Sequence, residues 1–322
     1  MRNSNGSKPV IALAMGDPAG ISPELTAKLV ALDEARRAAR IVVIGDRRVY
    51  DEGAKIAKTS ASPDEFVDLK HLDPAAIKRG VASKEGGACA LANYRQALRM
   101  VADGKADAVC FTPFNKQAMR LAHPSYDDEI GFTAGVLGFK GRATEFNILE
   151  GLWNARVTSH IPLAKVSSSL SVDAIVEALE LTANALRAAG FESPRIGVAA
   201  LNPHAGDGGN FGREEIDIIE PAVKKAKAKG LPADGPYPAD TVFVRAKGGQ
   251  FDAVLTMYHD QGQIAMKLMG FERGVTVQGG LPVAITTPAH GTAYEIAGRG
   301  IANTQAMQNA LAIAARMGAS AH

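Results

Sequence analysis

Three histidines each close an apolar run and open a turn: Val157-Thr158-Ser159-His160-Ile161-Pro162, Leu201-Asn202-Pro203-His204-Ala205-Gly206 and Thr256-Met257-Tyr258-His259-Asp260-Gln261-Gly262. Neutral imidazole is the commonest side-chain ligand for a divalent metal. Three such ligands with an open fourth position describe a catalytic metal site, one that polarises a substrate oxygen, rather than a closed structural site. For any one of these histidines alone, a local hydrogen-bonding role is the simpler reading. Their shared position at a strand end makes the metal reading the stronger one for all three together. Asp260 reads either as a partner that orients a ligand, as a general base beside the metal, or as a helix cap.

Further segments carry chemistry-capable residues. In Asn202-Pro203-His204-Ala205-Gly206-Asp207-Gly208-Gly209, glycines and a proline around a His and an Asp impose an unusual backbone that leaves room for a ligand. Met15-Gly16-Asp17-Pro18-Ala19-Gly20-Ile21-Ser22-Pro23-Glu24 reads as a strand-turn-helix step, with Ser22 as cap and Pro23 in the first turn. The stretch from His290-Gly291-Thr292-Ala293 to Asn303 has the composition of a ligand loop. Lys116 is either a substrate or catalytic lysine or an exposed one, and Asp240 either a helix cap or a site carboxylate. Lys267 lies eight residues past His259, about two helical turns along.

These residues need a frame that brings distant loops together. Short apolar runs at Pro9–Ala14, Ala39–Ile44, Ala106–Phe111, Ala143–Leu149, Ala155–Ser159, Arg195–Leu201 and Asp252–Met257 read as strands. Helical periodicity covers Ser83–Ala102 and Val172–Ala189, the latter capped by Ser171 or Asp173. Strands alternating with helices predict an α/β fold with a largely parallel sheet, in which ligands bind beyond the carboxyl ends of the strands. No Gly-x-Gly-x-x-Gly follows the first strand, so the common dinucleotide fingerprint is absent.

Composition narrows the class. At 322 residues a single core is near its limit, so two lobes are expected. A net charge of +2 without a basic block argues against nucleic acid. The densest basic stretch, Lys224–Lys229, reads as a solvated helix end. No run has the length of a transmembrane span, so no membrane partner is expected. Two cysteines, Cys89 and Cys110, exclude a disulfide framework and fit a reducing cytoplasm. The polar segment Met1–Lys8 reads as a frayed terminus without a signal peptide.

Taken together, the blocks Asn202–Gly209 and Tyr258-His259-Asp260-Gln261-Gly262 resemble the 4-hydroxythreonine-4-phosphate dehydrogenase family of vitamin B6 synthesis, from about Pro9 onward. The Gly16–Glu24 turn and the His290–Asn303 loop also resemble blocks of isocitrate and isopropylmalate dehydrogenases. The resemblance implies their two-lobed fold, with mostly parallel sheets and flanking helices. Residues 1–130 and 281–322 then form a cofactor lobe, and 131–280 a metal, substrate and dimerisation lobe. It implies NAD or NADP as cofactor, with Gly16, Asp17, Asn202, His290, Gly291, Thr292, Ala293 and Asn303 on the cofactor side. A divalent metal, most often zinc, is implied at His160, His204 and His259, and Lys116, Asp240 and Asp260 become candidates for proton transfer. A homodimer with a shared active site, a hydroxy-acid substrate and decarboxylation of the keto acid are implied as well.

The sequence also departs from this pattern. The family's Gly-His-Thr-Glu corresponds here to Gly131-Phe132-Thr133-Ala134. Of three further substrate contacts, a lysine matches Lys267, while an asparagine and an arginine are replaced by Thr276 and Ile285. Isoleucine cannot make the bidentate contact that arginine offers a phosphate. The alternative activity implied is that of a carboxylated cis-dihydrodiol dehydrogenase similar to terephthalate dihydrodiol dehydrogenase. A metal-dependent hydrolase and a non-catalytic binding protein on the same fold are the readings from other classes.

Overall fold

The computed structural model describes residues 8–320. The expected frayed terminus therefore lies, apart from Lys8, outside the described residues. The elements run β1 (Val10–Ala14), α1 (Ser22–Ala31), α2 (Asp33–Ala38), β2 (Arg40–Gly45), α3 (Arg47–Ile56), β3 (Glu65–Asp68), α4 (Lys84–Ala102), β4 (Ala108–Phe111), α5 (Lys116–Ala122) and α6 (Glu129–Leu137). Next come β5 (Thr144–Leu149), β6 (Leu152–Arg156), α7 (Val166–Ser169), α8 (Val172–Ala188), β7 (Ile196–Ala199), α9 (Glu220–Ala228), β8 (Ala233–Tyr237), α10 (Ala239–Lys247), β9 (Ala253–Thr256) and α11 (His259–Gly270). Last are β10 (Val275–Gly279), β11 (Ala284–Pro288) and α12 (Gln305–Ser320).

The chain forms two compact units, one of Met1–Thr144 with Val275–His322 and one of Glu145–Gly274. In the first, the strand order is β3-β2-β1-β4-β11-β10, parallel except for the β10–β11 pair. In the second it is β5-β6-β9-β7-β8, parallel except for β5–β6. The expected α/β class with mostly parallel sheet and flanking helices is what the structure has. The unit boundaries differ from the sequence-based 130/131 and 280/281. Helix α6 joins the first unit because Phe132 stacks on Tyr94 at 5.8 Å and the Thr133 hydroxyl lies 2.6 Å from the Tyr94 hydroxyl. Strand β10 joins it through its ladder with β11.

The strands form where the sequence is apolar on both faces. Ile11 to Ala14 and Ala253 to Leu255 are fully buried, as parallel strands between helical layers must be. Ser83 and Ser171 start α4 and α8 by accepting from the N–H groups of Gly86 and Ala174. Ser22 does not cap α1: it is already inside the helix, and its hydroxyl donates to the Pro113 carbonyl at 2.9 Å. The expected strand at Ala155–Ser159 begins and ends earlier, at Leu152–Arg156, because its ladder with β9 stops there and the chain turns toward His160. Strands β3, β8, β10 and β11 were not expected from the sequence. Strand β8 contains glycine and proline, β10 ends in glycine, β11 ends in proline, and β3 is four residues long and only partly buried.

Helices α4 and α5 approach so closely at Gly87 that an added Cβ would sit 1.9 Å from the Ala118 carbonyl oxygen. Alanine in a helix interior is favoured over glycine by about 1 kcal/mol, but overlap with rigid backbone outweighs this. Gly87→Ala is expected to destabilise the first unit by about 2 kcal/mol or more. Urea unfolding measures it, and an unchanged or raised midpoint would show that the two helices can part without penalty.

Candidate active site

In the second unit, the loop after β6 and the start of α11 bring His160 and His259 together. Their ring centroids are 5.5 Å apart, and both line a cavity of about 430 Å³ with Thr158, Ser159, Leu163 and Tyr258. His259 Nδ1 lies 2.6 Å from the Asp260 carboxylate. A carboxylate only accepts, so this contact places the proton on Nδ1 and leaves the Nε2 lone pair available to a cation. Asp260 is thus engaged with the His259 imidazole. Nearly buried Arg156 stiffens the approach to His160 by donating to Ser159 Oγ (3.0 Å), Asn147 Oδ1 (2.8 Å) and Glu145 Oε2 (3.1 Å). Burial pulls its pKa below the usual value, and Glu145 opposes that pull. Gln261 ties the strand ends by accepting from Met257 N and donating to Ala200 O, both at 2.7 Å.

His204 is not brought to this pair. Among the described residues, no cluster of three His, Cys, Asp or Glu side chains is arranged to hold a metal. His204 is exposed and opens a left-handed turn: φ is +53° at His204, +53° at Ala205, +79° at Gly206, +45° at Asp207 and +65° at Gly208. Left-handed backbone costs roughly 1–2 kcal/mol for each residue with a Cβ, so something must hold it. Glu215, almost fully buried, accepts from Leu201 N, Asn202 N and Asn202 Nδ2 at 2.8, 2.8 and 3.0 Å. The Asn202 amide, expected on the cofactor side, is occupied here with Glu215 and Glu214. Glu215 was missed in the sequence because nothing distinguishes it from its acidic neighbour Glu214 until the fold buries it.

The other second-unit candidates lie on helix surfaces. Asp240 is exposed in the first turn of α10, and its side chain does not cap that helix. Lys267 is exposed on α11, flanked by Ile264 and Leu268, which are 60% and 83% exposed.

In the first unit the two glycine-rich segments meet. Gly16 N donates to Thr112 Oγ1 at 2.8 Å, and a Cβ there would strike the Pro113 and Thr112 carbonyls. At Gly20, backbone contact with the 290s loop is direct, since Ile21 N donates to Thr292 O at 3.0 Å and a Cβ on Gly20 would lie 2.7 Å from that oxygen. Buried Asp17 joins both sides, accepting from Ala19 N and from the Tyr294 hydroxyl. Ala293 is left-handed (φ +44°), and His290 and Gly291 are held by a 3.0 Å contact between His290 Nδ1 and Gly291 O. Glu24 binds the N–H groups of Gly300 and Ala302, while Asn303 caps α12 by accepting from Gln305 N. The Asp17–Ile21 turn and the Thr292–Tyr294 stretch are therefore in direct contact.

The remaining candidates are dispersed. Lys116 faces Glu129 at 3.4 Å as a half-exposed ion pair. Thr133 is sequestered, its hydroxyl against Tyr94 and Gln278. Thr276 sits on β10 opposite Thr287. Ile285, expected among the substrate contacts, is fully buried in the core with Tyr94, Leu98 and Phe111, and half-buried Phe132 packs against the same cluster. An isoleucine at this strand position is drawn into the core by its own apolar surface, so Ile285 packs the core and lines no open pocket.

Two measurements follow from these anchors. Glu215→Ala leaves buried N–H groups without an acceptor and should cost about 1–3 kcal/mol, read by thermal unfolding; an unchanged midpoint would mean that the left-handed turn holds itself. Burial raises the pKa of Asp17, and the Tyr294 hydroxyl opposes that rise. Tyr294→Phe should therefore lower stability at neutral pH by about 1–2 kcal/mol. A raised folded pKa means that stability is lost as pH rises through it, so removing the tyrosine deepens this loss. The deficit should shrink in acid, once Asp17 is protonated. A deficit independent of pH would exclude the carboxylate as its cause.

Comparison with known proteins sets this geometry in a family. The sequence model of the family described as Pyridoxal phosphate biosynthetic protein PdxA matches residues 37–314. A Rhizobium meliloti protein named "Putative 4-hydroxythreonine-4-phosphate dehydrogenase 2" is 61% identical, over 96% of this chain and 93% of its own. A crystal structure of 4-hydroxythreonine-4-phosphate dehydrogenase from Klebsiella pneumoniae superposes with a TM-score of 0.83 at 33% identity, covering 98% of this chain and 99% of that one. A terephthalate 1,2-cis-dihydrodiol dehydrogenase structure from Burkholderia xenovorans LB400 gives 0.69 at 30% identity, covering 93% and 95%. With most of its length matched at these levels, the chain belongs to the PdxA family.

Proposed function

We propose that the chain is a divalent-metal- and NAD(P)-dependent dehydrogenase that oxidises a hydroxy acid, with 4-hydroxythreonine-4-phosphate, named for its relatives, as the first substrate to test. The observation that carries this reading is the His160–His259 pair, with Asp260 holding His259 Nδ1 and so leaving Nε2 as the ring nitrogen for a cation. This donor set suits a borderline cation such as zinc. When bound, the cation and the nicotinamide would supply oxygen polarisation and a hydride acceptor, and the same polarisation favours decarboxylation of the keto acid. The chain's residues hold these groups: His160 and His259 the metal, and the adjoining Gly16–Gly20 and His290–Ala293 segments the nucleotide. Asp240, an exposed carboxylate, is the candidate acceptor for the hydroxyl proton.

A homodimer completes the site in this reading. Two imidazoles make an incomplete catalytic set, and His204, exposed on a rigid loop, is available to a second copy. Leu163, Phe211, Ile264 and Leu268 in the same unit are 71%, 53%, 60% and 83% exposed, which favours burial in an interface. Cys89 and Cys110 are free and buried, with their thiols pushed up to about 12 by burial, which fits a reducing cytoplasm. No helix among the described residues is long and apolar enough to cross a membrane.

A second reading is favoured by Phe132 and Ile285. The family resemblance assigns histidine and arginine to those positions, and here Phe132 and Ile285 join an apolar cluster. Oxidation of a carboxylated cis-dihydrodiol fits that change. The test is NAD and NADP reduction by the zinc-loaded protein, with 4-phosphohydroxy-L-threonine in one arm and carboxylated cis-dihydrodiols in the other. Turnover in either arm, lost on His259→Ala and accompanied by an approximately 10–100-fold weaker zinc affinity in Asp260→Asn, supports the reading. Full activity of His259→Ala after metal stripping and zinc re-addition would sink the metal assignment. A protein that binds neither nucleotide nor zinc would be a non-catalytic binding protein. One that binds zinc but neither nucleotide would revive a metal-dependent hydrolase.

A further inference from the structure

Asn154 stands in the middle of β6 and is fully buried, as Trp153 and Ala155 beside it nearly are. Its Nδ2 donates within reach of three acceptors: the Ala155 and Val254 carbonyls at 3.1 and 3.3 Å and the Thr256 hydroxyl at 3.3 Å. Thr256 Oγ1 donates in turn to Ala155 O at 2.9 Å. The amide is thereby pinned to both β6 and β9. Its Oδ1 has no hydrogen-bond partner among the described residues. A buried carbonyl without a donor costs free energy, so an asparagine at this strand position calls for a reason.

The reason lies in α11, at Gly262. A Cβ on Gly262 would lie 2.2 Å from Asn154 Oδ1, 2.4 Å from Nδ2 and 2.5 Å from Cγ. Ordinary carbon contacts lie at about 3.5–4.0 Å, so any side chain here would lift the start of α11 by about 1 Å or evict the amide. Glycine is disfavoured in a helix interior relative to alanine, and close approach to a neighbour is what it allows in return.

Two arms run from this contact to the paired histidines. Beyond β6, Val157 N donates to Thr256 O at 2.9 Å, and the Thr158 N–H and hydroxyl donate to Met257 O at 3.1 and 2.7 Å. The chain leading to His160 is thus tied to the end of β9. On α11, His259 lies within one turn of Gly262, so the depth of the helix over Asn154 carries His259 with it. Zinc–nitrogen bonds are about 2.0–2.1 Å long, and such constellations tolerate misplacement of only about 0.5 Å.

We propose that Asn154 and Gly262 form the seat that sets the spacing of His160 and His259. Asn154 is a positioning residue, and Gly262 is the position that admits its amide. The inference rests on the reading of the two histidines as metal ligands, and neither seat residue belongs to the donor set.

Crystal structures of the metal-free chain read the spacing directly, and titration with zinc chloride reads its consequence. Gly262→Ala is expected to change the 5.5 Å ring separation and to weaken zinc binding by about 10–100-fold. Asn154→Ala, which withdraws the seat without overlap, should also move the rings and weaken zinc binding. The double variant Asn154→Ala/Gly262→Ala puts a methyl where the amide stood, so it should bind zinc more tightly than either single variant. A merely structural role would lower the unfolding midpoint of the single variants without this reciprocal rescue. If Gly262→Ala does not fold, Asn154→Ala and the double variant carry the comparison. Single variants that keep the native ring separation and zinc affinity, or a double variant that binds zinc no better than they do, would overturn the proposal. A native chain that takes up no zinc would sink the dehydrogenase reading, while the ring separations would still decide the seat.

Discussion

Parallel strands buried on both faces set the terms for the whole molecule. Ile11–Ala14 and Ala253–Leu255 have no exposed surface, so none of their side chains can meet a ligand. A buried strand must also be apolar, because a polar side chain without a partner would cost free energy. Chemistry is thereby displaced to the carboxyl ends. Gly16 and Asp17 follow β1, His160 follows β6, His204 follows β7 and His259 follows β9. Each loop starts from a strand whose position is fixed by a ladder on at least one side, which confines a flexible segment to a small volume.

Confinement alone does not orient a ligand, and the second unit adds specific anchors. Asp260 fixes one imidazole tautomer, Arg156 braces the segment before His160, and Gln261 links two strand ends. Glu215 gathers three donors under a backbone that would otherwise avoid its left-handed conformation. In the first unit Asp17 plays the corresponding part, joining the turn after β1 to Tyr294 in the 290s loop. At Glu215 and Asp17, N–H or O–H donors converge on a buried carboxylate, and at Asp17 they oppose the effect of its burial without cancelling it.

The apolar cluster at Phe132 and Ile285 shows how a pocket changes character through packing. Ile285 enters the core with Leu98 and Phe111, and half-buried Phe132 covers it. Arg95 lies over the Phe132 ring at 5.3 Å.

The sequence by itself determined the class of fold, the long helices and the strand ends that bear His160, His204 and His259. Apolar runs and helical periodicity are local signals, and they follow from what each segment must bury. It also determined the family, through blocks such as Tyr258–Gly262 whose residues are contiguous. It did not determine the edge strand β3 or the pairing of β10 with β11, whose residues are too few or too mixed to carry a period. The roles of Asn202 and Glu215, the burial of Ile285 and the separation of His204 from the His160–His259 pair were decided by tertiary structure alone. Each depends on a neighbour distant in sequence or on the reach of a loop, and a linear pattern encodes neither.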